Sequence, residues 1–358
     1  MIPYYLLVAV PLLLGAIGKK YRFTAGNKLL YETETAGIDA FMLIFLMLLA
    51  LRGLPCGNDT GRYLQLFNEY NTHSTLQLLS SYRYEYGYKL LNKLVGTVTG
   101  EYQVLLAVTA LICVWPLWHF YRKESDHQLL TMALFLTVAP FTMYFSGIRQ
   151  AMAMSLGIPA WYCTRQKKRL AFAAVVLLAL QFHTSAVILV LLYPLYHIRI
   201  TKRWLWFVVP CMIVVYVFKV QIFSFLMAFL WKEYSDITET GATTVLLLLI
   251  LFGIYSYVIP EEKRLDDDTI ALRNILMASV VIQFFAMLHP LAMRFNFYFL
   301  LYIPVLIPRI ADRSKKRCKQ IADLSLAIMT AFFLCYFIVN GIRDKDSLNI
   351  FPYIPFWK

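Results

Sequence analysis

The chain has 358 residues, 34 of them Lys or Arg and 21 Asp or Glu, for a formal net charge of +13. Hydrophobic residues make up 60% and charged residues 15%, against roughly 45–50% and about 25% in an ordinary soluble domain. These figures exclude a soluble α/β enzyme, a disulfide-stapled module, a coiled coil and a disordered chain. They leave an all-α, polytopic integral membrane protein, expected as a single transmembrane domain over residues 1–358. Its apolar runs each approach the roughly 20 residues that cross a bilayer as a helix. The basic residues come in short clusters between those runs and not on one continuous face. That pattern argues for membrane topology and against nucleic acid.

The first span is 2–17; no basic segment precedes it and Lys19, Lys20 and Arg22 follow. It reads as a retained helix with an extracytoplasmic N-terminus. The second span, 37–51, leads into a long extracytoplasmic loop over 52–101. The third, 102–120, ends at Arg122 and Lys123 on the cytoplasmic side; the fourth, 129–145, returns outward. A break at Ser146-Gly147-Ile148-Arg149-Gln150 opens the fifth, which ends at the basic cluster 165–169.

Basic clusters at 165–169 and 199–203 bracket the apolar stretch 170–196. A single crossing would invert every later segment, including the cluster 313–319. The expectation is a short, partly re-entrant hairpin with its tip at Gln181-Phe182-His183-Thr184-Ser185. Irregular backbone at that depth needs protein or a water-filled cavity around it. Spans at 204–230, 244–258, 275–288, 291–307 and 324–339 follow. An acidic outer loop at 232–243 and an outer break at His289-Pro290 lie between them, and the chain ends outside. The total is about 10–12 transmembrane helices, hairpin included.

Cys56, Cys113, Cys163, Cys211, Cys318 and Cys335 form no Cys-x-x-Cys pair and read as small core residues. Asp266-Asp267-Asp268 precedes a helix and reads as an N-cap with dipole partners, not as a metal motif. No phosphate-cradling glycine loop, zinc spacing or cytoplasmic nucleotide-binding domain is present in the pattern, so no cofactor and no metal is expected.

This topology gathers polar residues near the outer face. Arg52, Asp59, Arg62 and Tyr63 follow the second span; Glu85 and Tyr88 come later in that loop. Arg149 and Gln150 sit at the fourth-to-fifth break, His183 at the hairpin tip, and His289, Arg294 and Tyr298 at and after the last outer break. Ionisable groups at membrane depth are costly and mark function by default. Arginines and histidines around one cavity suit a phosphate-bearing substrate. Each also has a plainer reading: Arg52 as an interface anchor, Arg62, Glu85 and Tyr88 as solvated loop residues, His183 as a polar tip, His289 as a satisfied histidine at a kink. Arg149 and Arg294 sit between apolar runs, too deep for ordinary loop residues. Gly147, Ala151 and Ser155, with Ala153 and Gly157, are small residues four apart that allow close helix packing beside Arg149.

At these residues the chain resembles the EpsG family of exopolysaccharide polymerases, within the wider Wzy-type O-antigen polymerases. The matching pieces are Leu51-Arg52-Gly53, Gly57-Asn58-Asp59-Thr60 with Tyr63, and Glu85-Tyr86-Gly87-Tyr88. Ser146-Gly147-Ile148-Arg149-Gln150-Ala151-Met152-Ala153, Phe182-His183-Thr184-Ser185-Ala186 and Met293-Arg294-Phe295-Asn296-Phe297-Tyr298 complete the set. Leu54-Pro55-Cys56 departs from the family's usual linker. The resemblance implies a GT-C-like membrane glycosyltransferase architecture in a bacterial cytoplasmic membrane. It implies transfer of a growing glycan from undecaprenyl pyrophosphate to the next lipid-linked oligosaccharide repeat unit, alongside flippase and chain-length regulator proteins. Arg149 and Arg294 would grip the pyrophosphate, and Asp59 or His183 would take the acceptor proton. A flippase of lipid-linked oligosaccharide and an O-antigen ligase-like transferase are the competing classes.

Overall fold

The computed structural model describes residues 1–17, 22–25, 28–32, 35–80, 84–230, 242–343 and 348–358. Lys19, Lys20 and Tyr21, and most of the expected acidic loop at 232–243, lie outside the described residues. The described chain is dominated by helices. The exception is an antiparallel ribbon of β1 (Arg22–Ala25) and β2 (Lys28–Glu32), where the sequence reading placed only a charged connection. Contacts divide the chain into two compact units, Met1–Val187 with Ala327–Lys358, and Ile188–Leu326.

In the first unit, α1 (Ile2–Ile17) packs against α2 (Ala36–Ala50). The expected outer loop carries three helices of its own: α3 (Thr60–Thr72), α4 (Thr75–Ser80) and α5 (Tyr86–Val98). α3 and α5 pack on each other with Tyr63, Phe67, Tyr88 and Val95 buried. The long α6 (Tyr102–Glu124) lies against α2. The expected fourth span is broken into α7 (Gln128–Thr137) and a single turn, α8 (Met143–Ser146), because Pro140 lacks the amide a continuing helix requires. α9 (Ile148–Gly157), α10 (Pro159–Arg165) and α11 (Arg169–Leu180) complete the set. Ala151, Ala153 and Ser155 are each fully buried where α9 meets α6 and α11, as small residues four apart allow. Helix ends away from Arg149 are tied by Trp118 Nε1 donating to Asp39, 2.6 Å, and by the Arg165–Glu124 ion pair, 3.0 Å.

The helical run stops at Gln181, and a 3-10 helix over Thr184–Leu191 follows, which puts the break where the hairpin tip was expected. In the second unit come α12 (Leu192–His197), α13 (Leu205–Val217), α14 (Lys219–Leu230), α15 (Thr243–Val258), α16 (Asp267–Ala286), α17 (Pro290–Leu300), α18 (Ile303–Asp312) and the start of α19 (Lys319–Ile342). The expected single span over 204–230 is two helices that meet at Phe218. α16 is the hub, in contact with α12, α15, α17 and α18. Its interior carries a polar chain: Ser279 donates to Asn296 (2.6 Å) and Asn296 to Gln283 (2.7 Å), all fully buried. Such bonds hold helices together where lipid offers no polar partner. Asp266 caps α16 as the triplet suggested, accepting from Thr269 N–H at 2.8 Å. Burial opposes its ionisation, but Thr269 and Arg313 outweigh that and hold its carboxyl below the usual range.

Among the described residues, three helices are long and apolar enough to cross a bilayer: 102–124, 267–286 and 316–342. Two bent pairs qualify if each is one span, and six shorter apolar helices accompany them. α13 buries none of its residues, and Trp206 is 79% exposed. An apolar helix with this much uncovered side-chain surface belongs in lipid. Cys56 and Cys113 are buried core residues as expected, whereas Cys211 and Cys335 are exposed on apolar helices.

Gly57 fixes how the loop meets the body. Its φ is +98°, and an added Cβ would run into the Phe145 carbonyl. Gly57→Ala is expected to lower stability by about 2–4 kcal/mol. Gly61→Ala, in α3 with nothing within 4 Å, should stay within about 1 kcal/mol of the parent. Thermal melts in detergent check both.

Candidate functional site

Four of the sequence motifs meet in the first unit. The Gly57-Asn58-Asp59 turn lies against the backbone of Phe145, just before Ser146-Gly147-Ile148-Arg149. Gly87 of Glu85-Tyr86-Gly87-Tyr88 lies against Gln181 at the end of α11, where an added Cβ would come within 2.7 Å of the Gln181 carbonyl. Tyr88 N–H donates to that carbonyl, 3.2 Å.

Glu85 ties the segments together electrostatically. One carboxylate oxygen is ion-paired with Arg149 Nη1. The other accepts from Thr184 N–H at 3.1 Å, where the 3-10 helix begins. The side chains are 12% and 17% exposed, so water screens the pair weakly. The Tyr84 ring covers the guanidinium, its centroid 4.3 Å away. Tyr84 has a φ of +72°, a conformation that costs a non-glycine residue free energy and that brings the ring and the Glu85 carboxylate onto one arginine. Arg62, exposed on α3, hydrogen-bonds the Tyr84 hydroxyl and lies 5.8 Å from the same ring. Arg149 Nε is buried without a hydrogen-bond partner.

Tyr63 stands beside Arg149 and Tyr88, its ring 5.8 Å from the Tyr88 ring. Burial pushes the Tyr63 hydroxyl above its ordinary value, and the Arg149 charge works against that. Asp59 is exposed at the N-cap position of α3, one turn before Tyr63 and within its electrostatic reach. Gln150 is buried beside Arg149 in sequence, 3% exposed.

The two histidines share one arrangement. His183 Nδ1 accepts from Ser185 N–H at 3.2 Å and is 2.7 Å from Ser185 Oγ. His289 Nδ1 accepts from Leu291 N–H at 3.0 Å and caps α17. A neutral imidazole whose Nδ1 accepts carries its proton on Nε2. In both residues the basic nitrogen is occupied by a backbone amide.

Arg52 corrects the expectation of an outward-facing arginine. It is 1% exposed and donates to the Leu49 carbonyl at 2.6 Å, among Tyr102, Cys56, Cys113 and Tyr353. Arg294, His289 and Tyr298 belong to the second unit. Arg294 is exposed on α17, and Tyr298 is 1% exposed.

The sequence reading missed three participants. Tyr84 adjoins a motif residue but has no pattern of its own, and Thr184, though within a motif, takes part through its backbone amide, which its residue type does not mark. The third is the segment 348–358, which runs back along the first motif. Gly53 N–H donates to Ile354 O (2.8 Å), Gly57 N–H to Asn349 O (2.9 Å) and Asn58 N–H to Leu348 O (3.1 Å); Phe356 N–H donates to Leu51 O (3.0 Å). Asn349 Nδ2 donates to Asn58 Oδ1, 2.6 Å. Pro352 and Pro355, which favour extended chain, were the available signal.

A family model described as the EpsG family matches residues 40–354. Searches of curated proteins and of solved structures found no match. The matched range contains every residue named in this subsection except Pro355 and Phe356. In a double-mutant cycle, Glu85→Gln and Arg149→Met are expected to couple by about 1–3 kcal/mol. Arg62→Ala with Glu85→Gln should be additive within roughly 0.5 kcal/mol; unfolding midpoints report both.

Proposed function

Since the chain belongs to the EpsG family, a Wzy-type polymerase family, we propose that it polymerises a bacterial surface polysaccharide from lipid-linked repeat units. Family membership supports a polysaccharide polymerase-type role for a glycosyltransferase-like membrane protein. The finer reading is ours: the growing glycan passes from undecaprenyl pyrophosphate to the next lipid-linked oligosaccharide, on the outer face of the cytoplasmic membrane. The observation that carries it is the cluster around Arg149, a largely buried guanidinium with an unused Nε donor that shares the Tyr84 ring with the exposed cation of Arg62, while Tyr63 feels the charges of both Arg149 and the exposed Asp59.

In this mechanism Arg149, steadied by Glu85 and Tyr84, donates to the pyrophosphate oxygens as negative charge builds on the leaving group. Arg62 supplies a second positive charge. Asp59 takes the proton from the acceptor hydroxyl, whose oxygen attacks the anomeric carbon as the bond to pyrophosphate breaks. Asp59 is preferred to His183 as the base because the His183 Nδ1 lone pair is held by Ser185. His183 then serves to shape the tip that presents Thr184 N–H to Glu85. Arg294 enters only through the family motif.

The test uses purified protein in lipid with lipid-linked repeat units and reads chain-length ladders. Asp59→Asn is expected to slow polymerisation by about 10²–10⁴, and Arg149→Ala by about 10²–10³. His183→Asn, which can still accept from Ser185 N–H, should retain most activity. Full ladders from Arg149→Ala, or loss with His183→Asn and not with Asp59→Asn, would reverse these assignments. Movement of lipid-linked sugar across vesicles without joining would point to a flippase. Transfer to another acceptor without a ladder would point to a ligase.

A further inference from the structure

The segment 348–358 has two sides. One backbone edge is hydrogen-bonded to the motif loop at Leu51, Gly53, Gly57 and Asn58, with an antiparallel bridge between Arg52 and Pro355. Tyr353 and Pro355 from the extended stretch, with Trp357 from the turn that follows, form a wall of a groove of about 790 Å³. The facing wall belongs to α1 and α2, with Leu6, Leu43 and Met47 in it.

These side chains are large, apolar and uncovered: Leu6 is 50% exposed, Leu43 51% and Trp357 62%. The Tyr353 hydroxyl is committed to the Leu48 carbonyl, 3.1 Å, so it adds no donor to the groove. Lys358 is the charged side chain of the lining. An apolar channel whose one charged side chain is a cation matches an amphiphile that has an anionic head and a long apolar tail. The lining reaches the motif loop at Leu51, where Phe356 N–H donates to the Leu51 carbonyl.

We propose that this groove holds the isoprenoid tail of the lipid-linked substrate, with Lys358 facing its diphosphate. The choice of isoprenoid rests on the polymerase reading. The groove's capacity for a linear anionic amphiphile rests on its own lining.

The test uses a polyprenyl diphosphate that carries a diazirine in its tail and no sugar, added to the full chain in bilayer discs. Labelled peptides are mapped by mass spectrometry. Labelling is expected on residues 43–51 and 353–358. Leu43→Trp with Met47→Trp fills the groove from α2, and Leu6→Trp fills it from α1; each should cut that labelling about tenfold. Lys358→Ala should raise the probe concentration needed for half-labelling several-fold. All four positions are exposed, so unchanged melting is expected of these variants. Labelling elsewhere only, or undiminished labelling in the groove-filled variants, would overturn the proposal. So would equal labelling by a diazirine phospholipid, which would mark ordinary lipid-facing surface, or cross-linking of a second copy of the chain across the groove. The probe cannot polymerise, so the two readings separate. A ladder without groove labelling sinks this inference alone, and groove labelling without a ladder sinks the polymerase reading alone.

Discussion

A carboxylate and a guanidinium removed from water must meet each other or be neutralised, because isolated charges at low dielectric carry a large desolvation penalty. Glu85 and Arg149 satisfy that requirement at 12% and 17% exposure, and the choice of partner has consequences for the chain. Glu85 comes from the helical loop after α2, and Arg149 from the first turn of α9. The second carboxylate oxygen holds Thr184 N–H at the hairpin tip. One side chain thus brings three separate stretches of sequence to a common point. The Tyr84 ring closes over the guanidinium from the side, which restricts its motion and leaves Nε as the unused donor.

Two glycines make the pairing sterically possible. Gly57 lets the Asn58-Asp59 turn touch the backbone before Arg149, and Gly87 lets the Glu85 strand of the loop touch Gln181. A side chain at either position would push apart segments that the ion pair draws together. The segment 348–358 then fastens the first turn from behind through four backbone hydrogen bonds. The Asp59 carboxylate is therefore presented from a turn braced on two sides, which suits a base that must hold its direction toward an acceptor.

Much of the fold was legible because membrane helices are written in long apolar runs and basic clusters. α1, α2, α6 and α15 begin within a residue of where hydropathy put them. The expected fourth span and the span over 204–230 proved to be broken helices, since hydropathy averages across a Pro140 or a Phe218 break that the backbone must obey. The site was legible as a set of residues but not as a geometry. Arg149 and Glu85 were both singled out, yet nothing in their spacing says that they pair, since they are 64 positions apart. Arg52 looked like its neighbours in the motif and turned inward, because its guanidinium finds the Leu49 carbonyl and a ring of tyrosines and thiols. Contacts made by backbone atoms, such as the Thr184 amide and the 348–358 strap, carry no residue-type signal.

The account stands on Glu85 as the shared anchor of loop, helix and hairpin tip. Hydrogen exchange of the amides in 182–187, followed by mass spectrometry in bilayer discs, probes that anchor at the end farthest in sequence from the ion pair. The account predicts slow exchange in the parent protein, clear acceleration in Glu85→Ala and a smaller one in Arg149→Met, with none in Arg62→Ala. Equal protection of these amides in Glu85→Ala and the parent would contradict it.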